Sequence, residues 1–353
     1  MVSLTPGRWD AIAAAGAGAM AGLAAGAAAV EPLLEIRGLH CWLEGRREVV
    51  RAVDGVDLKV MPNEVLGIVG ASGSGKSMTF LAVIGLEPQQ PGVVAGEIRY
   101  CGRDLLPKMR LYCHIGGGGG GGAAGGGDVE VRRRTRSFCR QRERLLRGVR
   151  GTEVATIFQE PVHSLDPLFT TGELLAEALR TGGCGGGRKR LRVAALEWLT
   201  RVGIRDERVI DLHPMQLSGG MCQRVMIARA LACGPRLVIA DEPTTALDAL
   251  VQLRVLDLLE SLRRERGISV ALISHDLRLV ARYATRVAVF CAGRVVDEGH
   301  TGELLRRAAR GEAAPSTQRL FAGVAGRGTA ANLRQAPDED LPPQLFQPTG
   351  GAG

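Results

Sequence analysis

The sequence predicts an α/β fold built on a parallel sheet. Three short apolar runs, at residues 65–69, 237–240 and 269–273, have the length and composition of strands that are buried on both faces. Each run is followed at once by glycine or polar residues, and ligands of open α/β sheets bind at the carboxyl ends of the strands. We therefore expect the chemistry of this chain at one edge of that sheet.

The composition is that of a globular protein. The chain has 353 residues, of which 45% are apolar and 23% charged, so wholesale disorder is excluded. The net charge of +8 resides in residues 132–150, where nine arginines accompany one acid, Glu143. The rest of the chain sums to zero, so a general nucleic-acid surface is not indicated. The eight cysteines are dispersed without zinc spacing, which is typical of reduced thiols in a cytosolic protein.

Low-complexity segments divide the chain. Residues 1–30 form an Ala/Gly-rich leader, for which a flexible segment is favoured over a membrane span because Ala and Gly gain little in lipid. A Gly/Arg-rich insertion covers residues 107–146; its arginines are expected on a solvated helix, with a lipid or nucleic-acid contact as the alternative. A folded unit is expected over residues 31–310, and a tail over residues 311–353.

The first apolar run leads into a full match to the phosphate-binding pattern G-x-x-x-x-G-K-[ST]. Backbone N–H groups must wrap a polyphosphate closely, so glycines are needed where side chains would obstruct it. The lysine supplies a cation for the β- and γ-phosphates, the next serine a hydroxyl for Mg²⁺, and the following helix its positive end. The predicted nucleotide-binding residues are Gly70, Ala71, Ser72, Gly73, Ser74, Gly75, Lys76 and Ser77.

Acidic and basic side chains close the other two runs. Asp241 is placed to hold Mg²⁺, directly or through water, and Glu242 to polarise or orient a water that attacks the γ-phosphate. His275 follows the third run, where a lone histidine would more often be structural. Residues 217–220 precede a helical pattern and provide a second glycine-flanked helix start. One nucleotide needs only one phosphate-binding loop. A second anion-binding helix start therefore suggests a composite site, assembled from both segments.

Six motifs occur in an order that resembles the nucleotide-binding subunits of ATP-binding cassette (ABC) transporters. The resemblance implies a P-loop NTPase (RecA-like) core, a helical subdomain at about residues 166–235 and a small antiparallel β subdomain. Beyond the phosphate loop and the acids Asp241 and Glu242, the motif residues are Gln159 in the glutamine loop, Leu217, Ser218, Gly219, Gly220 and Gln223 in the signature region, Asp248 in the D-loop, and His275 as the switch histidine.

The resemblance also implies a mechanism and partners. Two cassettes would clamp ATP between the phosphate loop of one and the signature of the other. Glu242, His275 and Gln159 would be catalytic, and Ser77, Gln159 and Asp241 would contact Mg²⁺. The implied partners are a second ABC ATPase subunit, transmembrane permease subunits and, indirectly, a solute-binding protein, with no nucleic acid. The implied location is cytoplasmic, on the inner face of the cell membrane.

Finer motifs at residues 157–161, 213–221 and 315–320 resemble the dipeptide, oligopeptide and nickel importer branch. The function expected from them is ATP hydrolysis that energises import of peptides, nickel or a related small solute, and nothing in the sequence selects the cargo. The alternative is a soluble ABC-type ATPase that acts on nucleic acid or ribosomes through the arginine stretch. An inactive cassette is disfavoured because the lysine, both acids and the histidine are intact.

The chain departs from that branch at three places. Cys222 stands where the branch usually has arginine in the signature helix. The position of the adenine-stacking aromatic aligns with Leu43, and a one-residue gap would place Trp42 there instead. The Gly/Arg insertion has no counterpart.

Overall fold

The computed structural model describes five stretches of the chain, residues 31–44, 49–87, 92–106, 136–243 and 249–322. The leader expected at residues 1–30 therefore lies outside the described residues. The same is true of Asp248 and of the glycine-rich part of the insertion.

Two sheets form the frame. The antiparallel sheet has the order β2-β1-β4-β5, with strands β1 (Leu34–Glu44), β2 (Val49–Val60), β4 (Gly92–Tyr100) and β5 (Arg103–Asp104). The larger sheet has the order β10-β9-β3-β8-β7-β6, with strands β3 (Val65–Gly70), β6 (Val154–Ile157), β7 (Leu237–Asp241), β8 (Ser269–Ile273), β9 (Arg286–Cys291) and β10 (Arg294–His300). Its strands run parallel except β10, which is antiparallel to β9. The predicted α/β fold is confirmed.

Helices cover the larger sheet and form a separate cluster between β6 and β7. The described helices are α1 (Lys76–Ile84), α2 (Arg136–Leu146), α3 (Pro161–Ser164), α4 (Thr171–Thr181), α5 (Arg188–Arg201), α6 (Gly219–Ala232), α7 (Ala249–Arg266), α8 (Leu277–Tyr283), α9 (Thr301–Ala309) and α10 (Pro315–Ala322). Among these, none is long and apolar enough to cross a bilayer. The segment joining α5 to α6 contains two 3₁₀ turns.

The central strand β3 is buried on both faces, as its apolar run predicts. Leu66 and Ile68 pack into the core shared with the antiparallel sheet, whereas Val65 and Val69 pack into the core shared with the helices. Gly67 lies between the latter two, and a Cβ there would come within 2.3 Å of Val280 in α8. The absence of a side chain at Gly67 thus allows α8 to pack close against β3.

Helix α2 corrects the expectation that the arginine stretch is a solvated surface insertion. Arg142 is buried, contacts the buried carboxylate of Glu87, and donates to the carbonyl oxygen of Ala82 at 2.5 Å. Arg150 donates to the carbonyl oxygen of Ile84 at 2.9 Å. These two guanidinium groups satisfy carbonyls at the carboxyl end of α1, where cations are favoured. Part of the arginine stretch therefore belongs to the folded core.

The chain also stays folded beyond residue 310, where the sequence suggests a tail. The carboxylate of Asp297 in β10 accepts hydrogen bonds from the backbone N–H of Ala314 and from the hydroxyl of Thr317, both at 2.7 Å. Phe321 in α10 is buried against the helical core. A polar cap and an apolar anchor thus hold residues 315–322 on the sheet.

Candidate nucleotide-binding site

The predicted phosphate loop connects β3 to α1 and curls tightly. A Cβ at Gly70 would come within 2.3 Å of the carbonyl oxygen of Phe290, and a Cβ at Gly75 would come equally close to that of Ala52. Gly73 has open space around it but a φ of +74°, which L side chains rarely adopt. The three glycines are therefore required for two reasons, crowding at the ends of the loop and backbone conformation at its middle.

Lys76 closes the loop on itself. Its ammonium group donates to the carbonyl oxygens of Gly70 and Ala71 at 2.9 and 2.8 Å, and lies 3.4 Å from the hydroxyl of Ser74. Burial lowers the pKa of Lys76, while the carboxylates of Glu242 and Asp241 act in the opposite direction. A cation is thus held beside the two acids at the mouth of the loop.

Ser77 and Asp241 meet across the strand ends. Burial raises the pKa of the Asp241 carboxyl, and the nearby Ser77 side chain acts in the opposite direction. The Oδ1 atom of Asp241 is buried and has no hydrogen-bond partner in the described part of the chain. A hydroxyl beside an unsatisfied carboxylate oxygen fits the hard, oxygen-preferring cation Mg²⁺.

Two of the residues predicted to be catalytic, Gln159 and His275, contact the carboxylate of the third, Glu242. The amide Nε2 of Gln159 lies 3.2 Å from Oε2 of Glu242, and Nδ1 of His275 lies 3.2 Å from its Oε1. Glu242 itself has a φ of +47°, a left-handed conformation that is uncommon for a residue with a side chain. The motif order could predict that these residues share a site, but it could not predict the backbone conformation.

The signature residues begin α6 away from these contacts. The hydroxyl of Ser218 accepts a hydrogen bond from the backbone N–H of Met221 at 3.3 Å and so caps the helix. Ser218 and Gly219 are exposed, Gly220 is half-buried, and Leu217 packs against the helical core. Among the described residues, no hydrogen bond joins this segment to the phosphate loop.

Gln223 corrects the expectation that it contacts nucleotide together with the signature. Its side chain is fully buried, and its Nε2 donates to the carbonyl oxygen of Pro243 at 2.6 Å. The sequence signal that could have shown this is helical spacing, because Gln223 lies among residues of α6 that face the core. Asp248, the predicted D-loop residue, lies outside the described residues.

Trp42 does not offer a surface for base stacking. It is only 4% exposed, and the guanidinium carbon of Arg51 lies 4.9 Å from its ring centroid. Leu43 is half-buried and pairs with Val50, which is exposed. The more accessible of the two candidate positions for base stacking is therefore Leu43. The ring of Trp42 is buried and packs within the protein.

Comparisons with known proteins identify the family of this chain. Residues 53–245 match the ABC transporter family. A probable peptide ABC transporter ATP-binding protein of Sinorhizobium fredii is 38% identical over 321 residues, which cover 90% of this chain and 84% of the relative. This chain belongs to the ABC transporter family. ATP hydrolysis is the activity of that family's ATP-binding domain, so this ABC protein is an ATPase.

Further relatives and structures support the same assignment. The dipeptide transport ATP-binding protein DppD of Haemophilus influenzae is 37% identical over 319 residues, with 90% of this ABC protein and 85% of the relative covered. Among solved structures, a dimeric post-hydrolysis ATP-binding cassette bound to ADP and Pi has a TM-score of 0.60 at 26% identity. The match covers 76% of this chain and 98% of that cassette. The ABC cassette fold is thus shared with a solved structure that is itself dimeric.

Proposed function

We propose that this ABC protein is the ATP-hydrolysing subunit of an importer whose cargo is peptides. The observation that carries the proposal is the convergence of Gln159 and His275 on the carboxylate of Glu242, beside the phosphate loop. The cargo class follows from relatives named as peptide and dipeptide transport ATP-binding proteins, which match most of the chain. Nickel and other small solutes are the further candidates from the sequence.

The chemistry requires a positioned water and a neutralised phosphate. Glu242 orients and deprotonates the attacking water, and His275 is held by that carboxylate in reach of the γ-phosphate. Lys76 leaves the carbonyls of its own loop to bind the β- and γ-phosphates. Ser77, Asp241 and Gln159 would hold Mg²⁺, which supplies positive charge to the phosphate oxygens when it is bound.

A second cassette completes the site. Ser218 and Gly219 are exposed at the start of α6, where backbone N–H groups and the helix dipole favour an anion. A partner cassette would place its bound ATP against this start, and its own signature would cover the phosphate loop described above. The partner is a copy of this chain or a related ATPase subunit.

A groove between the sheet and the helical cluster is the proposed docking surface for a permease subunit. It has a volume of about 270 Å³ and lies between the edge strand β6 and helices α4 and α6. Its lining is apolar at Leu86, Phe158 and Met226, and Arg229 and Glu177 form an ion pair of 3.0 Å at its wall. Such a surface fits an amphipathic helix. Because Phe158 precedes Gln159, a partner in the groove would act directly on a residue that touches Glu242.

The proposal places the protein on the inner face of the cell membrane, bound through permease subunits. The alternative of a soluble ATPase acting on nucleic acid or ribosomes is not favoured, because the matching relatives are named as peptide importer subunits. In addition, Arg142 and Arg150 of the arginine stretch are bonded into the fold.

The test is affinity purification of the full chain from detergent-solubilised native membranes, with mass spectrometry of the proteins that accompany it. We expect polytopic membrane subunits and a second cassette. Leu86→Glu should reduce recovery of the membrane subunits because it places a charge in the apolar groove. Val193→Glu is the matched control, since Val193 is exposed to a similar degree (46% against 43%) and lies on α5 outside the groove.

Two results would contradict the proposal at different levels. Recovery of wild-type protein without any membrane subunit would contradict the importer function. Equal recovery of membrane subunits with both variants would leave the importer function in place and contradict the assignment of the groove.

A further inference from the structure

The side chain of Gln223 connects the signature helix to the turn that carries the catalytic acid. Gln223 lies on α6, five residues after the capping residue Ser218, and is fully buried. Its amide Nε2 donates to the carbonyl oxygen of Pro243 at 2.6 Å. Pro243 directly follows Glu242, so the hydrogen bond holds the residue next to the catalytic one.

The turn at Glu242 needs such support. Its φ of +47° is unfavourable for a residue with a Cβ, and a following proline further restricts the conformations that are accessible. Strained residues of this kind persist where the surrounding structure holds them. The backbone N–H of Glu242 donates to the carbonyl oxygen of Ile273 at 3.0 Å, and Gln223 holds the turn at Pro243.

The cost of this arrangement indicates a role other than stability. The Oε1 atom of Gln223 is buried and has no hydrogen-bond partner among the residues that the structure describes. A buried amide that uses its donor but not its acceptor carries a desolvation cost that an apolar side chain of similar shape avoids. Glutamine therefore contributes little net stability here, because its donor satisfies the carbonyl of Pro243 while its acceptor is left unpaired.

We propose that Gln223 is a positioning residue for ATP hydrolysis, which holds the Glu242–Pro243 turn so that the carboxylate faces the γ-phosphate. It does not touch the nucleotide, and it acts through the backbone of Pro243. The start of its helix is anchored as well, because Sγ of Cys222 lies 3.4 Å from the carbonyl oxygen of Pro214. The hydrogen bond thus fixes the catalytic turn relative to the helix that begins with the signature. The proposal rests on the ATPase function and on Glu242 as its catalytic carboxylate.

The test uses Gln223→Met, which keeps the length of the side chain and removes the donor, and Gln223→Leu as a second apolar variant. Ile227→Val is the matched control, because Ile227 is fully buried further along the same helix. We expect kcat for ATP to fall about tenfold in both Gln223 variants, equivalent to ~1.4 kcal/mol in the barrier. The KM for ATP should remain within about twofold, and the melting temperature should fall only slightly, because the Pro243 carbonyl loses its donor while the unpaired Oε1 is removed as well.

The outcomes separate this inference from the proposed function. A kcat for Gln223→Met equal to that of Ile227→Val would overturn the positioning role, and so would a fall in melting temperature with a parallel rise in KM. Wild-type protein without ATPase activity, or an active Glu242→Gln variant, would instead contradict the proposed function itself. The inference is supported only when wild type turns over, Glu242→Gln does not, and the Gln223 variants lose kcat selectively.

Discussion

The Nδ1 atom of His275 lies 3.2 Å from Oε1 of Glu242, and the contact joins the ends of two neighbouring parallel strands. Asp241 pairs in register with Ile273, so the residues that follow each strand come out side by side. Two residues that are 33 positions apart in sequence are thereby brought into contact. The site is a consequence of strand register rather than of any single motif.

Replacing the loop lysine should abolish tight nucleotide binding. Lys76→Ala removes the cation that the loop holds with the carbonyls of Gly70 and Ala71. We expect ATP affinity to fall roughly 10- to 100-fold, the equivalent of losing charged hydrogen bonds worth about 1.5–3 kcal/mol. Fluorescence titration with a labelled ATP analogue measures this, and Lys189→Ala, at an exposed lysine, is the control. Equal affinities of the two variants would refute the role of Lys76.

Two arginines of the stretch at residues 132–150 should differ in how much they contribute to the free energy of unfolding. Arg142→Gln removes the guanidinium that pairs with the buried carboxylate of Glu87, so the free energy of unfolding should fall by about 3–5 kcal/mol. Arg144→Gln, at an exposed position of the same helix, should change it by less than about 0.5 kcal/mol. Urea unfolding of both variants measures the difference. Similar values would show that α2 is a surface addition after all.

A third prediction concerns the support beneath the phosphate loop and its pH dependence. The backbone N–H of Asp54 donates to the carbonyl oxygen of Gly293, whose own N–H donates to that of Ser74. The guanidinium of Arg294, at 2.7 Å, lowers the pKa of the Asp54 carboxyl, with a smaller contribution from His40 and with burial opposing both.

Because that pKa is lowered in the folded state, the contribution to stability is present above the ordinary pKa and is lost as the pH falls through the lowered one. Arg294→Gln should thus reduce the free energy of unfolding at pH 7 by no more than about 1 kcal/mol, since Arg294 is largely exposed. The difference from wild type should shrink below about pH 4. Arg310→Gln is the control, and a difference that grows toward acid would contradict the assignment.

The parts of the fold set by local pattern could be predicted from the sequence. Strands β3, β7 and β8 appear as apolar runs because parallel strands are buried on both faces, and the phosphate loop follows from its glycine spacing. The same holds for Glu242 and His275, since each directly follows or lies just beyond a strand end.

What could not be predicted depends on long-range contacts. Arg142 lies in a charge-rich segment that is typical of a solvated helix, but its contacts with Glu87, 55 positions away, and with the carbonyl of Ala82 make it part of the core. Gln223 likewise follows a signature that faces solvent; helical spacing can indicate that it points inward, but its hydrogen bond to Pro243 is visible only in the structure. Composition indicates average exposure, whereas each of these side chains is buried through specific long-range contacts.

The most direct test of the account is steady-state ATP hydrolysis by the full chain and its Glu242→Gln variant, with nucleotide binding measured in parallel. Glu197→Gln, at an exposed acid of α5, is the control for loss of a charge. We expect Glu242→Gln to lower turnover by roughly 100-fold or more, as for loss of a general base, while ATP affinity is retained. Turnover of the Glu242→Gln variant at the level of the Glu197→Gln control would contradict Glu242 as the catalytic carboxylate and, with it, the mechanism proposed for this site.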